Sequence, residues 1–117
     1  MRVMVIGASA DRSKFGNKSV RAYLRRGHEV FPVKPHAKRI EGLPVFAAIA
    51  AVPGPIDRAL LYVPPAVGVG IMAEIAARGD VAEVWLNPGA ESQEVLDAAA
   101  SVGISPIQAC SIVDIGE

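Results

Sequence analysis

Short β-branched runs ending at glycine or proline alternate with helix-length segments along nearly the whole chain, and this alternation restricts the fold more than any other feature. Arg2 to Ile6 is the first run, stopped by Gly7. Glu29 to Lys34, Arg58 to Val63, Ala82 to Leu86 and Ser105 to Cys110 read as the second to fifth strands. Between them, Asn17 is placed to cap a helix running to about Arg26, with Val20, Tyr23 and Leu24 on one face and Gly27 as its stop. Ala66 to Arg78 reads as a second helix stopped by Gly79, and Pro65 is a candidate for its first residue. Glu91 to Ser101 reads as a third, with acids in a first turn that suits the helix dipole. Pro32 removes a ladder donor from the second strand and predicts a bulge or frayed end there. Pro35 to Gly42 reads as a loop or short helical turn. Val45 to Val52 reads as a brief strand edge running into a short helix, ended by Pro53-Gly54-Pro55.

Strands alternating with helices predict an α/β fold: a doubly wound, parallel, five-stranded sheet of Rossmann-like type, order 3-2-1-4-5, with helices on both faces. At 117 residues the expectation is one domain spanning 1–117. In such sheets ligands bind outside the carboxyl ends of the strands, near the point where the order reverses. The segments just after each strand are therefore the candidates for a site.

Several function classes drop out. Cys110 is the only cysteine, so no internal disulfide forms, and a reducing, cytoplasmic compartment is expected. One cysteine with His28 and His36 is too few, at the wrong spacing, for a Cys/His metal site. The apolar start, Val3 to Ile6, runs into Gly7 and a polar loop, unlike a signal peptide. The richest apolar stretch, Ala59 to Ala77, is broken by Pro64-Pro65, Gly68, Gly70 and Glu74, so no membrane span is expected. Basic residues are not interleaved with aromatics, which argues against nucleic acid. G-x-S-x-G, H-E-x-x-H and Walker A patterns are absent, and no catalytic constellation is evident.

The strand ends carry what chemistry there is. After the first strand, Gly7-Ala8-Ser9 leads through Arg12 and Lys14 to Gly16-Asn17. A turn-forming glycine, a hydroxyl, two cations and a helix start have the composition of a phosphate cradle. The spacing is not G-x-G-x-x-G, because Ser9 and Arg12 stand where the later glycines would be. The bland alternative is an ordinary solvated loop. After the second strand come Lys34, Pro35, Lys38 and Arg39, where an NAD site would want an acid. This basic end suits a phosphorylated ribose, as in NADP or the 3′-phosphate of coenzyme A. Val63-Pro64-Pro65 ends the third strand in a stiff, apolar corner able to flank a flat ring or simply to turn the chain. Asn87-Pro88-Gly89 ends the fourth, with Asn87 expected to face a ligand and Gly89 allowing close backbone approach. Trp85 reads as core with its indole N–H satisfied at the rim. Cys110 reads as a small buried hydrophobe rather than a reactive thiol.

Together these strand ends resemble the CoA-binding, Rossmann-type domain family, which includes small stand-alone proteins and the N-terminal domains of the succinyl-CoA synthetase α subunit and of NDP-forming acyl-CoA synthetases. Val5-Ile6-Gly7-Ala8-Ser9 is similar to the family's opening, and Ser13 to Lys18 to the helix entry of the NDP-forming ligases. Gly27-His28-Glu29-Val30-Phe31-Pro32-Val33-Lys34-Pro35 resembles its G-x-x-V-x-P-V-N-P segment. Ile40 to Val45, Val52-Pro53 and Ile56-Asp57 resemble its connecting segment, and Val63-Pro64-Pro65 its Val-Pro corner.

The resemblance implies coenzyme A bound across the switch point. Gly7, Ala8 and Ser9 would meet its phosphates with Lys14 close by, and Pro35 and Lys38 would lie by the adenine and 3′-phosphate. Val63, Pro64 and Pro65 would flank the nucleotide or pantetheine arm, and Asn87, Pro88 and Gly89 would close the site. Lys34 replaces the usual Asn before the proline, Asn87 a frequent Gln, and Ser111-Ile112-Val113 follows Cys110 where stand-alone members often have Cys-Pro-Lys.

The expected function is a small CoA- or acyl-CoA-binding protein without catalysis of its own: a carrier, sensor or regulator of a protein partner. The alternatives are an NADP-binding oxidoreductase-type module that a partner completes, and a scaffold whose ancestral pocket is empty, which a pocket blocked by side chains would favour. Charge fits a small phosphorylated ligand. Twelve Lys+Arg balance twelve Asp+Glu overall, but residues 1–40 hold ten bases against Asp11 and Glu29, and residues 41–117 hold Arg58 and Arg78 against ten acids.

Overall fold

The computed structural model describes residues 1–117. Its first strand, β1 (Arg2–Ile6), alternates side chains between two cores: Met4 and Ile6 enter one cluster, Val3 and Val5 the other. A strand apolar on both faces must be covered on both, and the following elements do that. α1 (Phe15–Arg25), β2 (Glu29–Val33), the short hairpin β3 (Arg39–Ile40) and β4 (Leu43–Pro44), and a 3₁₀ turn at Ile49–Ala51 come first. Then follow β5 (Ile56–Leu61), α2 (Pro65–Arg78), β6 (Val81–Leu86), α3 (Gln93–Ser101), β7 (Ile107–Gln108) and α4 (Ser111–Asp114). α2, α3 and the 3₁₀ turn cover one face through Ile71, Met72, Ile75, Val95, Ala99 and Ile49. α1 and the hairpin cover the other through Val20, Tyr23 and Ile40.

The five-stranded sheet is parallel throughout, in the order β2-β1-β5-β6-β7. The doubly wound Rossmann-like fold is as expected, with one reassignment. The expected order put the Arg58 to Val63 strand outside the second strand; that segment, β5, instead lies beside β1. The outer position next to β2 is held by a single parallel bridge between Val33 and Phe46, at the start of the segment read as a brief strand edge. Counting that bridge, the run from Phe46 through β2 and β1 to β5 and β6 has the 3-2-1-4-5 pattern. The order reverses between β1 and β5.

Other boundaries shift for local reasons. No bulge forms at Pro32: β1 and β2 stay in register from Arg2↔Glu29 to Ile6↔Val33. Pro32 turns its missing donor outward, where its carbonyl accepts from the amide of Phe46. α1 starts two residues before Asn17, with Lys14 as its N-cap. α3 starts at Gln93 because Ser92 caps it, its hydroxyl accepting from Val95 N at 3.2 Å. The fifth strand shrinks to Ile107–Gln108, and Cys110 is the half-buried residue preceding α4 rather than a strand end. No helix is long and apolar enough to cross a membrane.

Candidate functional site

The chain leaves β1 through a turn that only glycine fits. Gly7 has φ +85°, and a Cβ there would lie 2.5 Å from the Tyr62 carbonyl oxygen and 2.8 Å from Val63 Cγ1. A Cβ on Gly16, the second residue of α1, would fall on the carbonyl oxygen of Gly7. The ends of β1 and β5 and the start of α1 thus meet at backbone distance. The amides of Ala8, Ser9, Phe15 and Gly16 have no acceptor within the protein. Four free donors beside a helix N-terminus are the groups that an anion would need.

Buried side chains hold this loop in shape. Asn17, fully buried, donates through Nδ2 to the Ser9 carbonyl at 2.8 Å and to Glu41 Oε2 at 3.1 Å. Its Oδ1 accepts from Arg21 Nε at 2.8 Å. Asn17 is therefore a clamp on the loop rather than a helix cap. Glu41 also lies 3.6 Å from Arg12, tying the loop to the β3–β4 hairpin. Ser9 Oγ accepts from Asp11 N at 3.1 Å, which leaves its hydroxyl proton for another acceptor. Hydrogen bonds from the Ser13 hydroxyl and amide hold the Asp11 carboxyl below the usual range.

Two clefts open at this junction. The larger, about 470 Å³, runs from Lys14 and Gly7-Ala8-Ser9 past Val33, Lys34 and Pro35 to α2. The second, about 380 Å³, lies between Phe15-Gly16 and Pro88-Gly89-Ala90. Gly7, Lys14, Tyr62, Val63 and Pro64 line both, so the two adjoin along a shared wall at the switch point, as the two arms of a bent channel would.

Eleven of the thirteen sequence-selected residues line this channel. Gly7, Ala8, Ser9, Lys14, Lys34, Pro35, Val63 and Pro64 line the first arm, and Pro65, Pro88 and Gly89 the second. Lys38 and Asn87 do not. Lys38 is exposed on the loop beyond Pro35. Asn87, expected to face a ligand, is 1 % exposed and turned inward. Its Nδ2 donates to the Leu61 carbonyl at 3.1 Å, and its Oδ1 accepts from Ser111 N at 2.9 Å and Ser111 Oγ at 2.8 Å.

That arrangement orders a polar network behind the channel. With its proton given to Asn87, Ser111 Oγ accepts from the Tyr62 hydroxyl at 3.1 Å. The Tyr23 hydroxyl donates to the Ser111 carbonyl at 3.0 Å and accepts from Arg58 Nη1 at 3.2 Å. Burial pushes both phenols above the ordinary tyrosine range. Arg58 also meets Asp114 Oδ2 at 2.8 Å and stacks 4.6 Å over Trp85, whose indole donates to Glu83 at 3.3 Å. The rim satisfaction expected for Trp85 is present.

Sequence reading missed Tyr62, Phe15 and Glu74. Tyr62 was hidden by the more conspicuous prolines that follow it. Glu74 follows Val67 and Ile71 at the i, i+4, i+7 spacing that puts all three on one face of α2. Nor do all ten bases of residues 1–40 reach the site. Arg2, Arg12, Arg25 and Arg26 are ion-paired with Glu29, Glu41 and Glu117. Lys14, Lys34 and Lys38, on the loops after β1 and β2, have no ion-pair partner.

Fold and site define a Rossmann-like α/β domain with a glycine-turned loop of free backbone amides at its switch point. Residues 1–115 match the family model for the CoA binding domain, and the chain belongs to that family. It is 33 % identical over 89 residues to an ADP-forming acetate–CoA ligase II of Archaeoglobus fulgidus, a match covering 74 % of this chain but 13 % of that protein. A conserved hypothetical protein from Pyrococcus furiosus is similar in structure, with TM-score 0.87, 32 % identity and 97 % of each chain covered. The dinucleotide-forming acetyl-coenzyme A synthetase 1 of Ca. Korarchaeum cryptofilum, solved with phosphate and ADP, matches with TM-score 0.76 and 28 % identity, over 90 % of this chain and 25 % of that one. The chain thus spans a small part of these ligases and nearly the whole of the Pyrococcus protein.

Proposed function

We propose that this protein binds coenzyme A or an acyl-CoA in the bent channel and acts as a carrier, sensor or regulatory module without catalysis of its own. The free amides of Ala8, Ser9, Phe15 and Gly16 beside Lys14 carry the proposal. They give the diphosphate four donors, a helix N-terminus and a cation. Lys34 and Pro35, with Lys38 beyond them, would receive the 3′-phosphate. The pantetheine arm would pass the Val63-Pro64-Pro65 corner and leave between Phe15 and Pro88-Gly89, an apolar path suited to a chain with few charges. Family membership and the likeness to CoA ligases support the same ligand.

The non-catalytic part rests on the channel's ionisable side chains. They are Lys14, Lys34, Tyr62 and Glu74, and no hydrogen bond joins any two of them into an acid–base pair. Chemistry on the thioester would then fall to a protein partner, as the much greater length of the related ligases also suggests.

Thermal melting with added ligand tests the proposal, because a ligand that binds only the folded state raises its melting temperature. CoA should raise it most, dephospho-CoA less and NADP least. No shift with millimolar CoA, or a larger shift with NADP, would contradict the proposal.

A further inference from the structure

The channel's first arm contains one acid, and its placement is specific. Glu74 sits on α2 one turn beyond Ile71, and Lys14 and Lys34 are the only other charged groups lining this arm. Its carboxylate makes no hydrogen bond or ion pair with the protein, although Arg78 lies one turn further along the same helix. Arg78 is instead engaged with Asp80 and the carbonyls of Ile49, Val52 and Gly54. Glu74 is thus an unpaired, exposed anion at the rim of an arm whose other charged groups are cations. The apolar lining of the same arm comes from Ala47 to Ile49 and from Val67 and Ile71 of α2, the helix that carries Glu74.

A free carboxylate beside a phosphate would weaken binding, so the ligand should present hydrogen-bond donors at this end. We infer that Glu74 reads the base: a purine ring packs on that apolar lining and its exocyclic amine donates to the Glu74 carboxylate. This assignment rests on the CoA reading of the channel and adds a base preference to it. Adenine offers an amine donor at that edge, whereas a ring with an acceptor there would face carboxylate against carbonyl. The arm then has polarity, phosphates at Lys14 and Lys34 and base at Glu74, which fixes the direction in which the ligand enters.

Titration calorimetry on the full chain tests this with CoA, with the etheno-adenine analogue of CoA whose exocyclic nitrogen carries no proton, and with 4′-phosphopantetheine, which lacks the base. The wild type should bind CoA about tenfold more tightly than the etheno analogue, the worth of one hydrogen bond to a charged acceptor. Glu74→Ala should lose that preference and bind both at the weaker level, and Glu74→Gln, which keeps an acceptor oxygen, should retain part of it. Binding of 4′-phosphopantetheine should be the same for all three proteins. Equal affinity of the wild type for CoA and the etheno analogue overturns the assignment alone. So does a preference that survives in Glu74→Ala, or tighter CoA binding by that variant. A wild type that binds no CoA overturns the reading of the channel and this assignment together.

Discussion

The carbonyl oxygen of Gly7 occupies the space that a side chain on Gly16 would need. The approach joins the end of β1 to the first turn of α1 and sets the spacing of the free amides around the proposed anion site. Gly16→Ala must push backbone against backbone, which no rotamer change relieves. The expected cost is about 2 kcal/mol of stability, with loss of CoA binding even where the variant is folded. Chemical denaturation followed by ligand titration on the folded fraction checks both. Gly27→Ala is the control: Gly27, unlike Gly16, has positive φ (+79°), but nothing lies within 4 Å of its added Cβ. It should lose stability and keep the site.

Asn87 separates a ligand contact from a positioning residue. It satisfies the Leu61 carbonyl and both polar groups of Ser111 from a buried position. Asn87→Ala removes the acceptor of Ser111 N and leaves Ser111 Oγ with Tyr62 alone, and should cost about 2–3 kcal/mol in urea denaturation. Affinity for CoA, measured on the folded protein, should fall by less than about threefold, within the range of a small indirect effect.

The two lysines should divide the phosphates between them. Lys14→Ala should weaken CoA and dephospho-CoA alike, by about tenfold. Lys34→Ala should weaken CoA by a similar factor and leave dephospho-CoA unchanged. Both effects should shrink as salt rises, since these side chains are not deeply buried. Calorimetry at two ionic strengths provides the check.

Alkaline pH should destabilise the fold through Tyr23 and Tyr62. Burial raises both pKa values above the ordinary value of about 10. The native state then holds more protons than the unfolded chain above that pH, and the slope of stability against pH is negative there. The contribution is complete below pH about 10 and is lost as pH rises toward the folded values. Tyr62→Phe should flatten the slope, and phenolate absorbance should appear together with unfolding rather than before it.

Much of the channel was legible because its parts are backbone features. Glycines and prolines at strand ends announce turns, close approaches and missing donors in the sequence itself, and Gly7, Pro64-Pro65 and Pro88-Gly89 all line the channel. Side-chain direction was not legible. Asn87 and Glu74 are both polar residues next to apolar ones, and only the packing shows that Asn87 turns inward to Ser111 while Glu74 stays exposed at the cleft's rim. Strand order was legible only as a type. A single bridge at Phe46 fills the outermost position; its segment reads as a brief strand edge, too short to rank with the five longer runs, and Arg58 to Val63 takes the third place in the expected order instead. The positive charge of residues 1–40 exceeds what the site holds, because Arg2, Arg25 and Arg26 close ion pairs elsewhere.

The most direct test of the account is calorimetric titration of the wild-type chain with CoA and dephospho-CoA. Saturable binding of CoA at one site is expected, with dephospho-CoA about tenfold weaker through the loss of one charge-assisted phosphate contact. No heat of binding with CoA at hundreds of micromolar would contradict it.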